Sequence, residues 1–100
     1  MLKHIVMWKL KQTAEGKTRQ ANAELAKEKL LGLKKEIPQI KRIEVGINTG
    51  QGEQGFDLIL ISEFKTKKDL EEYQAHPKHK IVSDFISKIR TERVFIDYAE

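Results

Sequence analysis

The stretch FDLILISEFKTKKDLEEYQAHPKH, residues 56–79, contains the change of pattern that decides the fold. Its first nine residues carry apolar side chains on both alternating faces, which predicts a strand that must be covered on both sides. Thr66, followed three positions later by Asp69, resembles a capping box and predicts the start of a helix. His76 and Pro77 interrupt that helix, because proline lacks an N–H donor and disfavours a helical conformation at the residue before it. A second helical piece follows, since proline is accepted in the first turn of a helix.

The rest of the chain adds three strands and one long helix. The strands are predicted from short β-branched and aromatic runs: LKHIVMWKLK at 2–11, IKRIEVGIN at 40–48 and ERVFIDY at 92–98. Between residues 17 and 37, apolar side chains recur at three- and four-residue steps, which predicts a helix that Pro38 ends. The order βαββαβ predicts an α+β, ferredoxin-like fold, in which a four-stranded antiparallel sheet has its helices on one face and the second helix is broken at His76-Pro77.

The predicted sheet has one face that its own helices leave uncovered. The first and third strands carry apolar residues on that face, and so do Val94 and Ile96 in the last strand. A second copy of the sheet is the simplest cover, and twofold symmetry is the commonest way to supply it. We therefore expect residues 1–100 to form a single domain that assembles as a homodimeric α/β barrel.

Composition narrows the class of partner. The chain has 19 basic and 15 acidic residues, and its excess lysines are spread over predicted helix surfaces, so no nucleic-acid partner is expected. It has no cysteine, which excludes a disulfide framework, a thiolate metal site and a cysteine nucleophile. The first ten residues contain no long apolar region and no small-residue cleavage site, so a cytoplasmic protein with no membrane partner is expected.

Tyr73 and His79 are the candidate catalytic residues. They flank the helix break, where both side chains could reach a cavity against the sheet, near His4 on the first strand. A histidine can exchange a proton near neutral pH, and a tyrosine hydroxyl can donate to a developing enolate oxygen. A purely structural role remains the alternative, with His79 bonded to nearby backbone and Tyr73 at the edge of the core. The predicted pocket consists of His4, Val6, Trp8, Leu60, Tyr73, His79 and Arg93.

No metal or cofactor is expected. His4, His76 and His79 are the only histidines, and Pro77 sets the last two at an irregular spacing instead of on one helical face. The glycines of residues 50–55 satisfy G-x-G-x-x-G, but a strand follows them, whereas the phosphate-binding motif needs the N-terminus of a helix.

Five segments carry a resemblance to a known family: KHIVMWKLK, EIPQIKRIEVGIN, GFDLILISEF, LEEYQAHPKH and VFIDY. Together they resemble the stress-responsive A/B barrel (Dabb) domain over residues 2–98, and Tyr73 with the H-P-x-H motif that ends at His79 is the most specific element. The resemblance implies a dimer in which two ferredoxin-like sheets form a barrel. Many bacterial members have no assigned activity. One plant relative is a polyketide cyclase whose acid/base tyrosine and histidine would fall on Tyr73 and His79, with His4 matching a histidine of its first strand. Arg93 stands where that enzyme would have an apolar lining.

Three hypotheses about function remain. The protein is a stress-associated dimer without a deep pocket, or it binds a small apolar or aromatic ligand between sheet and helices. In the third hypothesis it is a cofactor-independent enzyme, similar to a polyketide cyclase or a monooxygenase, with Tyr73 and His79 as its acid/base pair. The sequence leaves open whether it is an enzyme, and the family resemblance predicts a Dabb domain protein of unassigned activity.

Overall fold

A computed structural model describes all residues, 1–100, as six strands and three helices. The elements in chain order are β1 Leu2–Leu10, β2 Thr13–Ala14, β3 Lys17–Thr18, α1 Arg19–Glu36, β4 Arg42–Ile47, β5 Leu58–Phe64, α2 Lys67–Ala75, α3 Pro77–Ile89 and β6 Arg90–Ala99.

The main sheet has four strands in the order β4-β5-β1-β6, and every neighbouring pair is antiparallel. The predicted ferredoxin-like α+β fold is therefore confirmed. The last strand begins at Arg90, two residues before the predicted start, and it pairs with β1 along almost the whole length of that strand. No helix of the chain has both the length and the apolar composition needed to cross a membrane.

A small hairpin, β2 with β3, was not predicted from the sequence. Its two-residue turn places Glu15 at φ 51° and Gly16 at φ 75°. Both residues have the positive φ of a type I′ turn, which normally selects Asn-Gly or Asp-Gly. Glutamate is not one of the residues that usually occupy the first position of this turn, so the sequence gives little indication of the hairpin.

The two faces of the sheet have different surroundings. The inner face packs against the three helices, and 18 buried apolar residues form one core between these layers. The outer face carries Ile5 and Met7 from β1, Ile59 from β5, and Val94 and Ile96 from β6, all of which retain solvent exposure in the single chain. The outer face is therefore an apolar surface that the chain's own helices do not cover.

Local capping explains the broken helix. Thr66 Oγ1 accepts a hydrogen bond from the Asp69 N–H at 3.1 Å, which starts α2 at the predicted position. His76 ends α2 and also caps α3, because its Nδ1 accepts from the Lys78 N–H at 3.0 Å. Pro77 then occupies the first turn of α3, where no N–H is needed.

Candidate functional site

The inner face of the sheet and the helices enclose a cavity of about 110 Å³. All seven residues of the sequence-predicted pocket line it, although their roles stay predictions. The remaining lining residues come from α1, α3 and the start of β6. The complete lining is His4, Val6, Trp8, Leu30, Leu60, Tyr73, His79, Val82, Ser83, Ile86, Ser87, Arg90 and Arg93.

The helix break brings Tyr73 and His79 together. In one continuous helix, residues six apart differ by about 240° around the axis and would face different directions. Here Tyr73 lies in the last turn of α2 and His79 in the first turn of α3, and their ring centroids are 4.5 Å apart. The His76-Pro77 break therefore creates the pair.

Tyr73 is fully buried, and its hydroxyl has no hydrogen-bond partner in the chain. Burial raises the pKa of Tyr73 well above its usual range, and the positive charge of Arg93 opposes this only in part. The phenol is therefore neutral at physiological pH. It is available as a hydrogen-bond donor, and deprotonating it there would be unfavourable.

The pKa of His79 is shifted in the opposite direction to that of Tyr73. Burial lowers the pKa of His79, a hydrogen bond with the backbone of Gln74 opposes that shift, and the positive charge of Arg93 acts in the same direction as burial. Its Nδ1 is buried and makes no other hydrogen bond with the chain. A neutral imidazole can accept a proton, so the cavity holds a neutral donor beside a neutral acceptor.

His4 is held in place by a residue that the sequence analysis missed. Its Nδ1 lies 2.5 Å from Asp97 Oδ1, and the two residues face each other across β1 and β6. The ring of His4 also meets Tyr73 edge-on at 6.3 Å. The partnership depends on the register of strands 93 residues apart in sequence, which no local pattern reveals.

His76 takes no part in the cavity. It caps α3, as described above, and is absent from the lining, so the three histidines do not converge on one point. Arg90, Ser83 and Ser87 line the cavity but were not predicted to do so. The two serines lie on the exposed side of α3, one turn apart, which apolar periodicity does not mark as functional.

Solved structures share this fold over nearly the full chain. A dimeric protein of unknown function with a ferredoxin-like fold from Bacteroides fragilis is 31% identical, with a TM-score of 0.86, and the match covers 97% of this chain and 93% of that one. A dimeric ferredoxin-like protein of unknown function from Thermobifida fusca is 21% identical, with a TM-score of 0.83 and coverage of 99% and 90%. A hydroxynitrile lyase from Passiflora edulis is 17% identical, with a TM-score of 0.78 and coverage of 97% and 90%.

No curated protein matches the chain. The family model described as the stress responsive A/B barrel domain, Dabb, matches residues 2–100, which is almost the entire sequence. The dimeric relatives described above likewise have a ferredoxin-like fold. The chain belongs to the stress responsive A/B barrel domain family.

Proposed function

We propose that this protein is a homodimer in which each protomer binds one small apolar or aromatic ligand in the cavity beside Tyr73 and His79. The observation that carries the proposal is the buried Tyr73 hydroxyl, which has no hydrogen-bond partner in the chain and belongs to a ring 4.5 Å from that of His79. An unsatisfied buried polar group costs about 1–3 kcal/mol. Folded proteins retain such groups where another molecule satisfies them or where chemistry requires them.

The cavity limits the size of the ligand. Its volume of about 110 Å³ is below the roughly 150 Å³ of an apolar cavity that accepts benzene. A single ring is therefore the upper limit for the enclosed part of the ligand, and side chains must shift to accept it. Val6, Trp8 and Leu60 give this part of the cavity an apolar wall, which favours a hydrophobic group over a sugar.

The outer face supports the homodimer. Ile96 is 58% exposed and Val94 is 41% exposed in the single chain, next to the partly exposed Ile5 and Met7 of β1. Burying such a surface against its own copy would give a closed twofold assembly. The Bacteroides fragilis protein, 31% identical, is described as dimeric.

An acid/base enzyme is the second candidate function, and the opposed properties of Tyr73 and His79 favour it. His79 would accept a proton from a carbon next to a carbonyl group, and the electron pair left behind would move to the carbonyl oxygen. Tyr73, which stays neutral, would donate a hydrogen bond to that oxygen. The Passiflora edulis hydroxynitrile lyase is an enzyme on the same fold, so the fold is compatible with catalysis.

Native mass spectrometry of freshly purified protein tests the main proposal. We expect a dimer, and we expect retained mass that is lost on denaturation. The fluorescence of Trp8, the only tryptophan and a wall of the cavity, should change when single-ring compounds are added. A monomer would contradict the proposed assembly. A dimer whose Trp8 fluorescence responds to no single-ring compound would contradict the proposed ligand site.

A further inference from the structure

We propose that the ligand is a compact apolar acid whose carboxylate binds between Arg90 and Arg93 at the mouth of the cavity. This inference rests on the proposed function of the cavity and adds a charge requirement to it. Both arginines line the cavity, and Arg93 is exposed whereas Arg90 is partly buried. The apolar part of the ligand would lie against Trp8 and Leu60, deeper in the same space.

A β-bulge puts the two arginines on one face of the sheet. Arg93 pairs with Trp8, an inner-face residue, whereas Arg90 pairs with Leu10, the next inner-face residue of β1. Residues three apart in a regular strand lie on opposite faces. The register shift between Lys9 and Leu10 supplies the extra residue on β6 and turns Arg90 inward. Bulges commonly redirect a side chain in this way beside functional sites.

The two arginines also lack carboxylate partners. The chain has four arginines, and the other two make ion pairs, with Arg42 at 3.1 Å from Glu63 and Arg19 at 4.0 Å from Asp57. Neither Arg90 nor Arg93 lies within 4.0 Å of a carboxylate oxygen. Two cations that line the cavity therefore remain unneutralised within the protomer.

The nearby acidic residues are engaged elsewhere. Glu92, between the arginines in sequence, lies 3.5 Å from the ammonium group of Lys9. Asp97 is bonded to His4. Arg93 is partly fixed by the ring of Phe95, with its guanidinium carbon 5.3 Å from the ring centroid. A guanidinium held in this way can present its planar donor fork to a carboxylate.

Calorimetric titration of the protein at neutral pH tests the charge requirement. Benzoate and benzamide serve as probes of nearly equal shape, one anionic and one neutral, and the Trp8 indole N–H resonance reports binding inside the cavity. We expect benzoate to bind at least tenfold more tightly than benzamide. Arg93→Gln should weaken benzoate binding by roughly tenfold to a hundredfold, as expected for a charge-assisted hydrogen bond, and leave benzamide unchanged. Arg90→Gln should act in the same direction.

Arg42→Gln is the matched control, because it removes one arginine on β4, away from the cavity, and should leave the preference for benzoate intact. Equal binding of benzoate and benzamide would overturn the charge requirement while leaving the proposed ligand site in place. Binding of neither probe would overturn both proposals for single-ring ligands. If inorganic phosphate binds at the same site as tightly as benzoate, the arginines form an anion site without an apolar subsite. That result would also overturn the inference.

Discussion

Replacing Tyr73 with phenylalanine separates a structural role of its hydroxyl from a functional one. The side chain is fully buried, and its hydroxyl has no partner, so the substitution deletes one polar atom and keeps the ring. An unsatisfied buried polar group costs about 1–3 kcal/mol. The ring's contacts with Phe64 at 5.0 Å and His79 at 4.5 Å should persist. We therefore expect Tyr73→Phe to raise the free energy of unfolding by about 1 kcal/mol.

Thermal and urea denaturation, followed by circular dichroism, measure this change. For a domain of this size, about 1 kcal/mol raises Tm by roughly 4–8 °C. Wild type and variant must be compared at the same protein concentration, because the Tm of a dimer depends on concentration. Thr13→Val is the control. It deletes the hydroxyl of an exposed residue in β2, outside both the cavity and the outer face, and should change stability by at most about 0.5 kcal/mol.

The same variant should bind ligand less tightly. Loss of a neutral hydrogen bond corresponds to a reduction in affinity of roughly twofold to tenfold. A more stable variant with weaker binding is the pattern of a group retained for function at the expense of stability. A Tyr73→Phe protein that is destabilised by about 1 kcal/mol or more would show that the hydroxyl is satisfied in the native protein, and it would refute the reasoning.

Three further predictions concern the rest of the site and the outer face. A histidine NMR titration should find the pKa of His79 below the usual 6.5, and a value above it would contradict the account of burial. Because the pKa of His79 is lower in the folded protein, its neutral form contributes stability that is present above about pH 6.5 and is lost as the pH falls through the folded pKa. His79→Gln should remove this part of the decrease in the free energy of unfolding at acidic pH. Asp97→Ala leaves His4 Nδ1 unpaired and should lower the free energy of unfolding, measured with urea, by about 1–3 kcal/mol. Asp84→Ala, at an exposed residue, should lower it by less than about 0.5 kcal/mol. Equal losses would show that Asp97 does not hold His4. Ile96→Glu should convert the dimer to a monomer, as measured by light scattering. Ile81→Glu, at a similarly exposed isoleucine on α3, should leave the dimer intact. A dimeric Ile96→Glu protein would exclude the outer face as the interface.

Much of the fold can be predicted from the sequence because the deciding signals are local. Pro77 breaks a helix through its own covalent structure, and Thr66 caps one through a hydroxyl three residues from its partner. Alternation along β1 places His4, Val6 and Trp8 on one face without any knowledge of the other strands. For these reasons the order of strands and helices along the chain and the broken helix could be anticipated, and the seven residues predicted to share a pocket all line the cavity.

The missed features depend on long-range register or on unusual backbone conformations. Asp97 meets His4 only because β6 pairs with β1 in one particular register, and Arg90 faces inward only because that register shifts at a bulge. Regular alternation would have placed Arg90 and Arg93 on opposite faces. The hairpin of residues 13–18 depends on Glu15 adopting a positive φ, for which its residue type gives little indication.

The two edges of the sheet differ in a way that affects how the chain must be produced. β4 is short and carries the charged residues Arg42 and Glu44, which discourage further strand addition. β6 has ten residues, pairs with β1 on one side only, and exposes Phe95 and Ile96 at about 60%. A newly folded chain therefore exposes one long, unprotected strand edge, which face-to-face dimerisation does not pair. Aggregation through this edge requires encounters between chains, so refolding yield should fall as the protein concentration rises.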